Sequence, residues 1–149
     1  MKQHEQSFNS KILLFGEYSI IQDSMGLTLP YNEFKGKLTY DTAAINEHFV
    51  TESNDHLNDF ANYLQHLIDT QQLAVVFDIQ AFKTDIKKGI YFQSSIPQGF
   101  GVGSSGALVA AVYGKYVAHK IDFENAPNKQ AILELKAVFA KMESHFHGN

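Results

Sequence analysis

Two-thirds of the way along the chain, a glycine-serine segment ties a strand to a helix: Pro97-Gln98-Gly99-Phe100-Gly101-Val102-Gly103-Ser104-Ser105-Gly106. It follows a β-rich run at residues 90–96 and opens a small-residue apolar helix reaching about residue 119. Glycines at 99, 101 and 103 free the backbone for positive φ and leave no side chain to block a ligand. A helix start presents unpaired N–H groups and about half a positive elementary charge, so it favours an anion. With Ser104 and Ser105 at that start, the segment reads as a phosphate cradle whose serine hydroxyl can also reach Mg²⁺. The same residues also suit a tight strand-to-helix turn, with Gly for close packing and Ser as N-cap.

Other short patterns fit less well. Residues 101–106 satisfy G-x-G-x-x-G, but the dinucleotide fingerprint belongs in a first βαβ unit with an acid about 20 residues on, and here the acid at that distance is Asp122, past a polar helix end. A Walker A lysine is absent after the last glycine. A protein-kinase glycine loop needs a hairpin, and the run after Gly106 reads as helix. A hydrolase nucleophile elbow fails because Ala107 stands where the final glycine belongs.

The rest of the chain supplies the scaffold. Residues 10–15 read as a strand stopped by Gly16, with a continuation over 18–21 and a loop at 22–26. Residues 26–31 and 36–42 are further strand candidates. In the second, Leu38 and Tyr40 alternate with Lys37, Thr39 and Asp41. From an N-cap at Asn54 or Asp55, the positions Leu57, Phe60, Ala61, Leu64, Leu67 and Ile68 have helical spacing. Residues 73–79 and 90–96 are β-rich runs on either side of a turn at Lys87-Lys88-Gly89. A last helix from about Asn128 carries Ile132, Leu135, Phe139 and Met142 on one stripe. His145 and His147, two apart, face different sides of that helix and make a poor zinc pair.

At 149 residues the chain fits one domain, and its 44% hydrophobic and 19% charged composition is that of a globular protein. A net charge of −4 gives no reason to expect nucleic acid or an anionic membrane as partner. No apolar run approaches the roughly 20 residues of a membrane span. Zero cysteines exclude disulfides and thiolate metal sites and suit a cytoplasmic location.

Pro97-x-x-x-Gly101-Val102-Gly103-Ser104-Ser105 is similar to the ATP-binding signature P-x-x-x-G-L-G-S-S-A of the GHMP kinases, with Val102 for Leu and Gly106 for Ala. Lys11-Ile-Leu-Leu-Phe-Gly16-Glu17-Tyr18 resembles the N-terminal segment of that family, P-G-K-x-x-L-x-G-E followed by His or Tyr, with Asn9-Ser10 in place of Pro-Gly. Residues 141–149 resemble the helix and loop of mevalonate kinases. There a glutamate, matched by Glu143, holds Mg²⁺, and a loop starting His-Gly, matched by His147-Gly148, leads to a catalytic aspartate. The three matches occur in family order.

The resemblance implies an α+β fold of the GHMP N-terminal type (ribosomal protein S5 domain 2-like), a mixed sheet backed by helices over residues 1–149. It implies Mg·ATP-dependent phosphorylation of a small alcohol or phosphate, mevalonate of the isoprenoid pathway first among them. In the implied roles, Pro97, Gly99, Gly101, Val102, Gly103, Ser104, Ser105 and Gly106 bind ATP. Ser105, or Ser104, holds Mg²⁺ with Glu143, Lys11 offsets charge at the acceptor, and Glu17 and Tyr18 shape the acceptor pocket. Each has a plainer reading: Lys11 as a strand-start lysine, Glu17 and Tyr18 as loop residues, Glu143 as a solvated helix charge. The catalytic aspartate and the C-terminal domain are expected beyond Asn149, which makes the chain an N-terminal part, inactive alone. A catalytically dead nucleotide-binding module acting with a partner is the alternative, and self-association stays open.

Overall fold

The computed structural model describes residues 6–15, 26–43, 45–120 and 128–147. Strand β1 (Ser7–Phe15) pairs antiparallel with β2 (Leu27–Thr39), which pairs antiparallel with β3 (Tyr91–Ser94). Among the described residues the sheet is therefore antiparallel in the order β1-β2-β3, not mixed as expected. The two strands expected at 26–31 and 36–42 are one strand of 13 residues. Gly36 does not break it, because the ring of Phe92 on β3 lies over that position. A Cβ on Gly36 would fall 2.2 Å from Phe92 Cζ, so the glycine admits the ring. The expected continuation over 18–21 and most of the loop at 22–26 lie outside the described residues.

Four helices follow: α1 (Glu47–Asp69), α2 (Ile79–Lys87), α3 (Ser104–Tyr116) and α4 (Lys129–His147). Helix α1 buries Leu57, Phe60, Ala61, Leu64 and Leu67, the spacing read from sequence. It begins well before the expected caps, because Asn46 Oδ1 accepts from His48 N at 2.9 Å. Asn54 instead donates its amide to the carbonyls of Ile86 (2.9 Å) and Ile90 (2.7 Å). Ser53 Oγ accepts from Phe92 N at 3.0 Å and donates to Phe92 O at 3.2 Å. Polar residues that look like a helix start thus fasten α1 to β3 and to the end of α2.

Helix α2 shares only Ile79 with the strand expected at 73–79 and occupies residues 80–86, for which no element was expected. Residues 73–79 keep a single bridge, Phe77 to Val117, before Asp78 Oδ1 caps the helix by accepting from Ala81 N at 2.9 Å. Ile79, Phe82 and Ile86 then bury one face. The Lys87-Lys88-Gly89 turn is the helix's C-terminal cap, with Ile90 N donating to Asp85 O and Gly89 N to Ile86 O. Gly89 has φ +87°, the left-handed residue that such a cap needs.

Helix α3 packs against β1, β2 and α4, and α1 packs on β3 and α2. Phe60, Phe82, Val109 and Val112 are fully buried where these elements meet, each such side chain contributing about 1.5–3 kcal/mol. Helix α4 is capped at Asn128, whose Oδ1 accepts from Ala131 N at 2.9 Å. Its buried residues are Val138 and Met142. Leu135 and Phe139 are partly buried, and Ile132 is exposed, contrary to the expected stripe.

Candidate nucleotide-phosphate site

The strand β3, the glycine loop and α3 stand in the order read from sequence. Gly99, Gly101 and Gly103 all have positive φ, at +80°, +67° and +86°. At Gly99 and Gly101 a Cβ would meet nothing within 4 Å, so only the backbone angle calls for glycine there. At Gly103 both angle and space demand it, since a Cβ would lie 2.8 Å from Lys11 Cγ.

The expected serine cap of α3 is absent. Gly103 is the N-cap residue and no side chain bonds the first turn. An uncapped helix start leaves its N–H groups to solvent or a ligand, and the helix dipole favours an anion there. The serine is engaged elsewhere. Ser105 Oγ donates to Glu143 Oε1 at 3.3 Å and lies 3.4 Å from His147 Nε2. Lys11 comes from β1, where its N–H donates to Val102 O at 3.0 Å and its stem lies against Gly103.

These elements border a cleft of about 1060 Å³, large enough for a nucleotide. Lys11, Pro97, Gly99, Gly101, Val102, Gly103, Ser104, Ser105 and Glu143 line it, all named from sequence. Gly106 is not among the lining residues; it faces Glu143, and a Cβ there would sit 3.3 Å from Glu143 Oε1. Glu17, Tyr18, Gly148 and Asn149 lie outside the described residues.

The sequence does not single out the α1 part of the lining, Glu52, Ser53, His56 and Asp59; α4 adds His145 and His147. The sequence marks His147 as the start of the His-Gly loop and as a poor zinc partner for His145; its spacing of four from Glu143, which puts the two on one helix face, is a further signal. His145 packs among Phe60, Tyr63 and Phe146, with ring centroids 5.4, 5.1 and 4.9 Å away. Burial there pushes its pKa down, against the pull of Asp59 and with a smaller push from His56. No group of three or more His, Cys, Asp or Glu side chains able to hold a metal occurs among the described residues.

The donor set nonetheless suits a nucleotide-borne Mg²⁺, which takes one or two protein oxygens and keeps several waters. The Ser105 hydroxyl and Glu143 carboxylate supply two such oxygens beside the anion-favouring helix start. Among the described residues no helix is long and apolar enough to cross a membrane.

No curated protein and no solved structure matches the chain. The family model of the GHMP kinases N terminal domain matches residues 61–149, which hold the glycine loop, α3 and Glu143 but not Lys11. That span is more than half of the 149 residues, and the chain belongs to the GHMP kinases, a family of ATP-dependent transferases, as a carrier of their N-terminal domain.

Proposed function

We propose that this domain binds Mg·ATP and forms the nucleotide half of a small-molecule kinase, with mevalonate as the first acceptor to test. The observation that carries the reading is the uncapped start of α3, reached through three positive-φ glycines and flanked by Lys11 and Glu143. On this reading the sheet and helices belong to the ribosomal protein S5 domain 2-like scaffold implied by the resemblance.

Phosphoryl transfer depends on positioning and charge neutralisation more than on covalent chemistry. The loop backbone and the first N–H groups of α3 orient the phosphates. The Lys11 ammonium offsets charge that develops on the transferring group. Ser105 and Glu143 would hold Mg²⁺, which when bound neutralises phosphate charge. Glu17 and Tyr18 are assigned to the acceptor side from the resemblance alone. An aspartate following the His-Gly pair serves as base in the resembling kinases, and a C-terminal domain completes the cleft. The reading for this domain is nucleotide binding, with turnover depending on those further parts.

A coupled ADP-release assay with mevalonate, phosphomevalonate and galactose tests this, run on the chain alone and joined to a GHMP C-terminal half. Turnover only in the joined protein, with mevalonate preferred, is expected. Robust turnover by the chain alone would contradict that dependence. Silence of the joined protein on every acceptor would refute the substrate choice.

A further inference from the structure

His147 stands four residues after Glu143 on α4, so both side chains project from one face of its last turn. Its Nε2 lies 3.4 Å from Ser105 Oγ, which itself donates to Glu143 Oε1 at 3.3 Å. Both contacts are long, as catalytic hydrogen bonds commonly are before a ligand tightens them. A serine hydroxyl has one hydrogen and two lone pairs, and an ionised carboxylate only accepts. With the Ser105 hydrogen given to Glu143, the complementary part for His147 is to donate Nε2–H to Ser105 Oγ. The relay from His147 through Ser105 to Glu143 leaves one Ser105 lone pair unused, in a cleft that all three side chains line. Gly106 keeps the far end open, since a Cβ there would crowd Glu143 Oε1 at 3.3 Å.

We infer that His147 is a positioning residue: it fixes the direction of the Ser105 hydroxyl so that the remaining lone pair faces the Mg²⁺ of a bound nucleotide. This rests on the reading of Ser105 as a Mg²⁺ ligand. Without the Nε2–H donor, the hydroxyl rotates among several partners and must be ordered when metal binds.

The test uses the full chain and ADP, titrated by calorimetry with and without Mg²⁺. His147→Leu weakens Mg²⁺-dependent binding by about three- to tenfold, the effect of one lost hydrogen bond, and leaves metal-free binding nearly unchanged. His147→Gln, whose amide N–H can stand in for Nε2–H, recovers most of that loss. In a Ser105→Ala background, His147→Leu adds nothing. Nitrogen NMR of the histidines is a second readout: neutral His147 is expected as the Nε2–H tautomer in wild type, and its signal moves in Ser105→Ala. A His147→Leu protein that responds to Mg²⁺ like wild type overturns the inference alone, as do additive losses in the double variant or an Nδ1–H tautomer. Wild type showing no Mg²⁺ effect on ADP binding overturns the metal reading, and the inference with it.

Discussion

The backbone N–H of Lys11 donates to the carbonyl of Val102 at 3.0 Å. The first strand and the glycine loop, some ninety residues apart in sequence, are thereby one unit at the cleft wall. The Lys11 stem fills the space that Gly103 leaves open, so the cation and the helix start reach the same cleft together.

Gly103 is the position least able to change. Gly103→Val forces a branched residue to φ +86° and drives its Cβ into Lys11, strain of about 1–3 kcal/mol. Loss of ADP binding in titration calorimetry, with a lowered urea midpoint, is the expected result. Wild-type affinity in this variant would remove the loop from the site.

Ser105→Ala and Glu143→Gln should each weaken Mg²⁺-dependent ADP binding while metal-free binding stays close to wild type. The cause is the loss of one of the few protein oxygens that Mg²⁺ takes. The check is the ratio of affinities with Mg²⁺ and with a chelator, and unchanged ratios in both variants would refute the metal assignment.

Asn54→Ala should destabilise the fold more than a surface asparagine would. Its amide serves the carbonyls of Ile86 and Ile90. Ile86 O keeps its bond from Gly89 N, but the Ile90 carbonyl loses its side-chain donor, and leaving such an acceptor unpaired costs about 1–3 kcal/mol. Urea unfolding measures it. A change within the scatter of surface substitutions would contradict the tertiary role given to this side chain.

Asn54 also shows where the sequence is hard to read. Asn54 and Asp55 look like helix caps because short polar side chains before an apolar stripe usually are. Here the bonds of Asn54 go to partners over thirty residues away, which no local pattern records. At α2, β-branched and aromatic residues at 73–79 suggest a strand. Asp78 as cap and Gly89 as left-handed terminator were both present in the sequence, but a nine-residue helix between them offers only three buried positions. By contrast, the loop was legible because glycine at positive φ and small residues at a helix start are local requirements. The α1 part of the lining, Glu52, His56 and Asp59, depends on how α1 packs and carried no local signal.

Stability should fall in two steps on acidification. Burial holds the folded pKa of His145 below its ordinary 6.5, so below pH 6.5 the unfolded chain takes a proton that the folded chain refuses. Stability is lost as pH drops from above 6.5 towards that lower value, then levels. Burial opposes ionisation of Asp85, but hydrogen bonds from Tyr40, Lys115 and Tyr116 and the Lys115 charge prevail and keep its pKa below 3.8. Lys115 Nζ and the Tyr116 hydroxyl each lie 3.1 Å from its carboxylate. That contribution is present above pH 3.8 and is lost as pH falls through the folded value. Urea midpoints across pH should show both steps, with the upper one flattened in His145→Phe. An unchanged upper step in that variant would clear His145 of the effect.

Whether the start of α3 recognises phosphate is decided most directly by titrating the wild-type chain with ATP, ADP and adenosine in the presence of Mg²⁺. Saturable binding of ATP and ADP is predicted, together with negligible heat from adenosine at the same concentrations and competition by tripolyphosphate. Adenosine binding as well as ATP, or failure of all three to bind, would contradict a phosphate site built from Gly99, Gly101, Gly103 and the α3 N-terminus.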